Sequence, residues 1–198
     1  MNDNYSSRDI SNNFTETGNA QTKPISYAHP ESASILSKAR DDLAKSATGL
    51  RLLQMADQRN IEIHILVNKD ITRFVPDSGH IYLGLSPDNE PDERHIVLNL
   101  GGALREAEHF LVGYAPPDPE NSDPTDFVAL SFAKELDIII NICMVAEELH
   151  ASSALQNMID VLEDMGHGQI YQSYREQKSA EEMLGMMIPE RFGREKYD

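Results

Sequence analysis

Cysteine is almost absent: Cys143 is the only one in 198 residues, so neither a disulfide framework nor a cysteine-rich zinc site can be built. It sits in the apolar run 138–146 and reads as a packed core thiol. Basic residues are scarce as well, 17 against 33 acidic, for a formal net charge of −16. That balance argues against nucleic acid and against anionic membrane surfaces, because both reward basic patches. The partner it leaves room for is a protein or peptide, basic in character, or a metal cation. No apolar run approaches the roughly 20 residues of a membrane span. Met1-Asn2-Asp3-Asn4 lacks the basic start and apolar stretch of a secretion signal, so the expected compartment is the cytoplasm. A Gly-rich phosphate loop, a nucleophile elbow and a supported Cys-His pair are also missing, which removes the enzyme classes that depend on them.

What is present suits one soluble domain with a tail at each end. Residues 1–30, rich in Asn, Ser and Thr, cannot bury enough surface to offset the ordering of their backbone and are expected to form a disordered arm. The domain is expected over 31–188 and a C-terminal tail over 189–198. Ile35, Ala39, Leu43, Ala47, Leu50, Leu53 and Ala56 recur at helical spacing and predict a helix from Ser32 to near Asn60, weakest at Gly49. Strands are expected at 61–67 and 80–85, with Phe74 near the resulting small sheet. A helix follows at about 92–113, weakest at Gly101-Gly102 and with a strand from His95 to Leu100 as the alternative, then a proline-rich loop at 115–125. A long helix or broken helix pair should run from Pro124 to Asp164, closed by Gly166 and Gly168, and a last helix from Ile170 to Met187, stopped by Pro189.

The chemistry concentrates in Arg105-Glu106-Ala107-Glu108-His109. In the zinc-peptidase motif His-Glu-x-x-His, two imidazoles at i and i+4 share a helix face and grip one ion, while the glutamate polarises its water. Here Arg105 takes the place of the first imidazole, and a guanidinium offers no lone pair near neutral pH. A peptidase site also needs a third ligand. Glu147 and Glu148, amid apolar neighbours on the second long helix, are the candidates. The plainer readings are a solvated face for Arg105, Glu106 and Glu108 with a satisfied histidine at His109, and a polar stripe through Lys134, Glu135, Asn141 and Glu148 that faces water.

The order helix, strand, edge strand, x-Glu-x-x-His helix and glutamate-bearing long helix resembles a bacterial zincin-like metallopeptidase domain over about residues 32–187. The resemblance implies an α+β fold with a small sheet packed on the motif helix and the long second helix. It also implies roles: Glu106 as water-activating base, with His109 and Glu147 as metal ligands. The departure at Arg105 points to a disarmed site, with no zinc expected and Arg105 instead bridging to Glu147 or Glu148. A catalytically inactive binding or regulatory module is therefore the leading expectation, and zinc is the cofactor if the site still functions as a metallopeptidase.

Two Glu-x-x-His pairs, Glu106/His109 and Glu147/His150, also allow a helical di-iron carboxylate protein of the ferritin type, against which the two strand segments weigh. His64, on the strand face opposite Ile63 and Ile65, and His80, His95 and His167, near turns, read as solvated histidines; any of them can supply a substitute ligand in three dimensions. Met183, Met186 and Met187 read as core filler, or as a recognition face if exposed.

Overall fold

The computed structural model describes residues 30–67, 71–85, 92–114 and 123–191. The expected arm, apart from Pro30, and most of the expected C-terminal tail and proline-rich loop lie outside these residues. The fold is α+β. Helices α1 (Pro30–Leu43) and α2 (Ala47–Gln58) precede strands β1 (Glu62–Val67), β2 (Arg73–Val75) and β3 (His80–Leu85). Helices α3 (Glu93–Leu111), α4 (Pro124–Ala151), α5 (Met158–Asp164), α6 (Gly168–Arg175) and α7 (Ala180–Arg191) follow.

The first expected helix is two. The break follows from Ser46, whose buried side chain caps α2 by accepting from the Gly49 N–H at 2.8 Å. Gly49 then lies so close to Leu43 that a Cβ would overlap the Leu43 carbonyl oxygen, so the missing side chain is what lets the chain turn there. The late helices divide as well. The broken pair separates at 152–157, and Gly166, with φ +77°, ends α5. Gly168 opens α6 rather than closing α5. The last expected helix is α6 and α7, split at 176–179, where Gln177 has φ +56°. Pro189 does not stop α7, which continues to Arg191. A proline so close to a helix end forfeits little of the backbone ladder.

β3 is the central strand, parallel to β1 and antiparallel to β2. Alternation sets its two faces: Ile65, Phe74, Ile81, Leu83 and Leu85 are buried toward the helices. Glu62 pairs in register with His80, and His64 with Tyr82, on the opposite face.

α3 lies at the centre and packs on the sheet, α1, α2 and α4. Asp92 caps it, accepting from the Arg94 N–H at 2.9 Å. Val97, Leu98, Leu100 and Leu104 are fully buried. Gly101 and Gly102 leave the helix unbroken and bring it close to α4, where an added Cβ on Gly102 would stand 2.9 Å from Ile142 Cδ1. Cys143, on α4, is fully buried, its thiol pushed up to about 12 by burial and by the nearby Glu147 charge. Met183 and Met187 are buried core residues. Among the described residues no helix is long and apolar enough to cross a membrane.

Candidate functional site

The motif residues project from α3 toward α4, and α4 answers with a polar row. Lys134, Asp137, Asn141 and Glu148 follow one another at three-, four- and seven-residue steps, one helical face. That row is half-buried, its charged side chains paired with α2 and α3 while Asp137 keeps part of its carboxylate in water. Arg105 Nε donates to Asp137 Oδ2 at 2.7 Å and its Nη2 to Oδ1 at 3.0 Å, a two-point pairing across the helix contact. Arg105 Nη1 also donates to Glu108, which in turn accepts from Arg51 of α2. His109, buried, shares the Asp137 carboxylate, with Nε2 at 2.7 Å from Oδ2. Since a carboxylate only accepts, Nε2 carries the proton of that bond. Its Nδ1 is enclosed and has no hydrogen-bond partner among the described residues.

Glu106 is engaged one step along the same face. Its Oε1 accepts from Lys134 Nζ at 2.9 Å, and its Oε2 from the Phe74 N–H of β2 at 3.2 Å. Glu148 accepts from the Thr48 N–H at 2.9 Å and the Thr48 hydroxyl at 2.7 Å, covering the start of α2. Glu147 pairs with Arg175 of α6 at 3.3 Å. The expected bridge from Arg105 to Glu147 or Glu148 is therefore corrected: the guanidinium does span α3 and α4, but its partner is Asp137, about three turns earlier in α4. Both glutamates serve other helices.

Two cations and two carboxylates alternate here, Arg51, Glu108, Arg105 and Asp137, and their ionisation reflects it. The Arg105 guanidinium is held still more firmly protonated, chiefly by its hydrogen bonds to Asp137 and despite burial. Burial pushes Glu108 and Asp137 up, but hydrogen bonds from Arg51 and Arg105 to the first, and from Arg105 and His109 to the second, outweigh it. Both carboxyls lie below their ordinary range.

This donor set does not fit a zinc ion at α3. Arg105 offers no lone pair, His109 Nε2 is committed to Asp137, and Glu147 points its charge at Arg175. Nor do the two Glu-x-x-His pairs meet: Glu106 and His109 bond to Lys134 and Asp137, while His150 is exposed near the end of α4. The sheet further removes an all-helical di-iron bundle. Beside the network lies a cleft of about 200 Å³ lined by Thr48, Arg51, Arg105, Asp137, Asn141 and Met144, with Ile140. Asn141 is 5% exposed, and its Oδ1 has no hydrogen-bond partner among the described residues.

A second cluster lies across the sheet. Glu62, His64 and His80 place three donor atoms within 4.8 Å of one another on the outer face. Sequence reasoning set His64 and His80 aside as solvated. The signal was the alternation Glu62-x-His64 and His80-x-Tyr82 in two strands, which puts all four side chains on one face once the strands pair in register. Asp137 and Lys134 were also missed as site residues, although their spacing with Asn141 was available.

No family model, curated protein or solved structure matches this chain.

Proposed function

We propose that this protein is a zincin-like binding or regulatory module without hydrolytic activity, in which an ion-pair network stands where a peptidase would hold its metal. The observation that carries the reading is the shared carboxylate of Asp137, which takes both the Arg105 guanidinium and His109 Nε2. A water-activating glutamate needs a free carboxylate beside a polarised water; Glu106 instead accepts from Lys134 and the β2 backbone. The cleft over the network, lined by Arg51, Arg105, Asp137 and Asn141, supports recognition of a polar protein or peptide group.

Peptidase assays of the full chain in zinc-supplemented buffer test this directly. Wild type and Glu106→Gln should show the same background rate; zinc-dependent hydrolysis that Glu106→Gln abolishes would overturn the reading. Arg105→His places two imidazoles at i and i+4 facing Asp137. That variant should gain one zinc equivalent that a further His109→Ala removes, and failure to gain it would detach the network from a metallopeptidase origin.

A further inference from the structure

We propose that Glu62, His64 and His80 bind one zinc-type divalent cation on the outer face of the sheet, independently of the α3–α4 network. Glu62 Oε2 lies 3.3 Å from His64 Nε2 and 3.5 Å from His80 Nε2. Zinc with bonds near 2.0–2.1 Å to nitrogen and oxygen sets the edges of its tetrahedron at about 3.3 Å, so two of the three protein edges already have the required length. The third, between the imidazoles, is within 4.8 Å and closes by side-chain rotation on a fixed strand pair.

Tyr82 prepares the nitrogens. Its hydroxyl lies 3.3 Å from His80 Nδ1, and as acceptor for the Nδ1 proton it leaves the Nε2 lone pair directed at the cluster. Its ring stacks on His64, with centroids 5.5 Å apart and planes 25° from parallel, which fixes the second imidazole. Hydrogen-bonded, stacked imidazoles converging with a carboxylate on a paired-strand frame differ from a scatter of surface acids. Two imidazoles and one carboxylate favour zinc, or cobalt as its spectroscopic stand-in, over calcium and magnesium, which take oxygen donors. Three protein donors leave one position open, and Glu62, 65% exposed at its side chain, puts that position at the surface. The ion therefore takes its fourth donor from water or from a docking partner, and it ties β1 to β3.

Equilibrium dialysis of chelator-treated full-length protein against zinc sulfate, read by metal analysis, tests the site. One zinc per chain is expected. His64→Ala and His80→Ala should each weaken uptake on the order of 100-fold, Glu62→Gln comparably, and Tyr82→Phe about 10-fold through loss of its hydrogen bond to His80. His109→Ala should leave uptake unchanged. His64 and His80 pack on Tyr82 and are about 30% exposed or less, so their truncations are read beside the near-isosteric Glu62→Gln and Tyr82→Phe, which keep that packing and should melt as wild type does without zinc. Cobalt should give the intense visible bands of a tetrahedral ion in wild type and lose them in His80→Ala. Absence of zinc uptake by wild type, or uptake that survives the His64→Ala/His80→Ala double substitution, overturns the proposal. Uptake abolished by His109→Ala would place the ion at α3 and count against both readings, whereas absence of wild-type uptake overturns the outer-face site alone, so the two failures stay distinct.

Discussion

Asp137 joins a guanidinium and an imidazole from one face of α3, and its two oxygens are both occupied. Removing the charge while keeping the shape, Asp137→Asn, should cost about 1 kcal/mol by urea unfolding, the modest end for a charge-assisted pair because the side chain is 43% exposed. The sign of the pH dependence follows from the depressed carboxyls of Asp137 and Glu108. Their contribution is complete above the unfolded carboxyl values near pH 4 and is lost as the pH falls through the lower folded values. Stability should therefore drop below about pH 4, and Arg105→Met should flatten that drop; an acid limb of unchanged slope in Arg105→Met would show that the network does not cause it. Arg105 was legible as a helix-bridging cation because a guanidinium on a half-buried face must find acceptors. Its partner was not, because Asp137, Glu147 and Glu148 all lie on α4 and only the axial offset between helices selects among them.

At the scale of elements, the glycines of α2 and α3 make a graded series. Gly49→Ala forces a Cβ onto the Leu43 backbone, which cannot rotate away, and should cost about 3 kcal/mol or more. Gly102→Ala meets the mobile end of Ile142 at 2.9 Å and should cost about 1 kcal/mol. Gly101→Ala has ordinary clearance, 3.7 Å to Leu43 Cδ1 and 3.8 Å to Val145 Cγ2, and should gain up to about 1 kcal/mol from helix propensity. Thermal melts that do not rank the variants in this order would show that the close approaches are not what these positions require. β1, β3 and α3 were readable from periodicity, since one buried face imposes a period of two or of 3.6. The breaks between α1 and α2 and between α6 and α7 were not, because a three- or four-residue interruption barely disturbs the apolar stripe on either side. Ser46 three residues before Gly49 was the local capping signal for the first break.

Across the whole molecule, the α+β class was legible because helical and strand periods alternate along the chain. The sheet order was not, since β2, only three residues long, carries too little pattern to reveal that it flanks β3 on the side away from β1. The outer-face cluster depends on that pairing and was hidden with it. One buried feature turns the entire fold into its own reporter. Because the lone sulfhydryl at Cys143 is sealed in the core on α4, near Glu147 and Tyr174, and resists ionisation, an alkylating reagent can mark it only when the packing around α4 opens. Native protein at pH 8 should gain iodoacetamide mass orders of magnitude more slowly than urea-unfolded protein. Gly49→Ala should accelerate it in proportion to its lost stability, giving a chemical clock for the opening of the core without any engineered label.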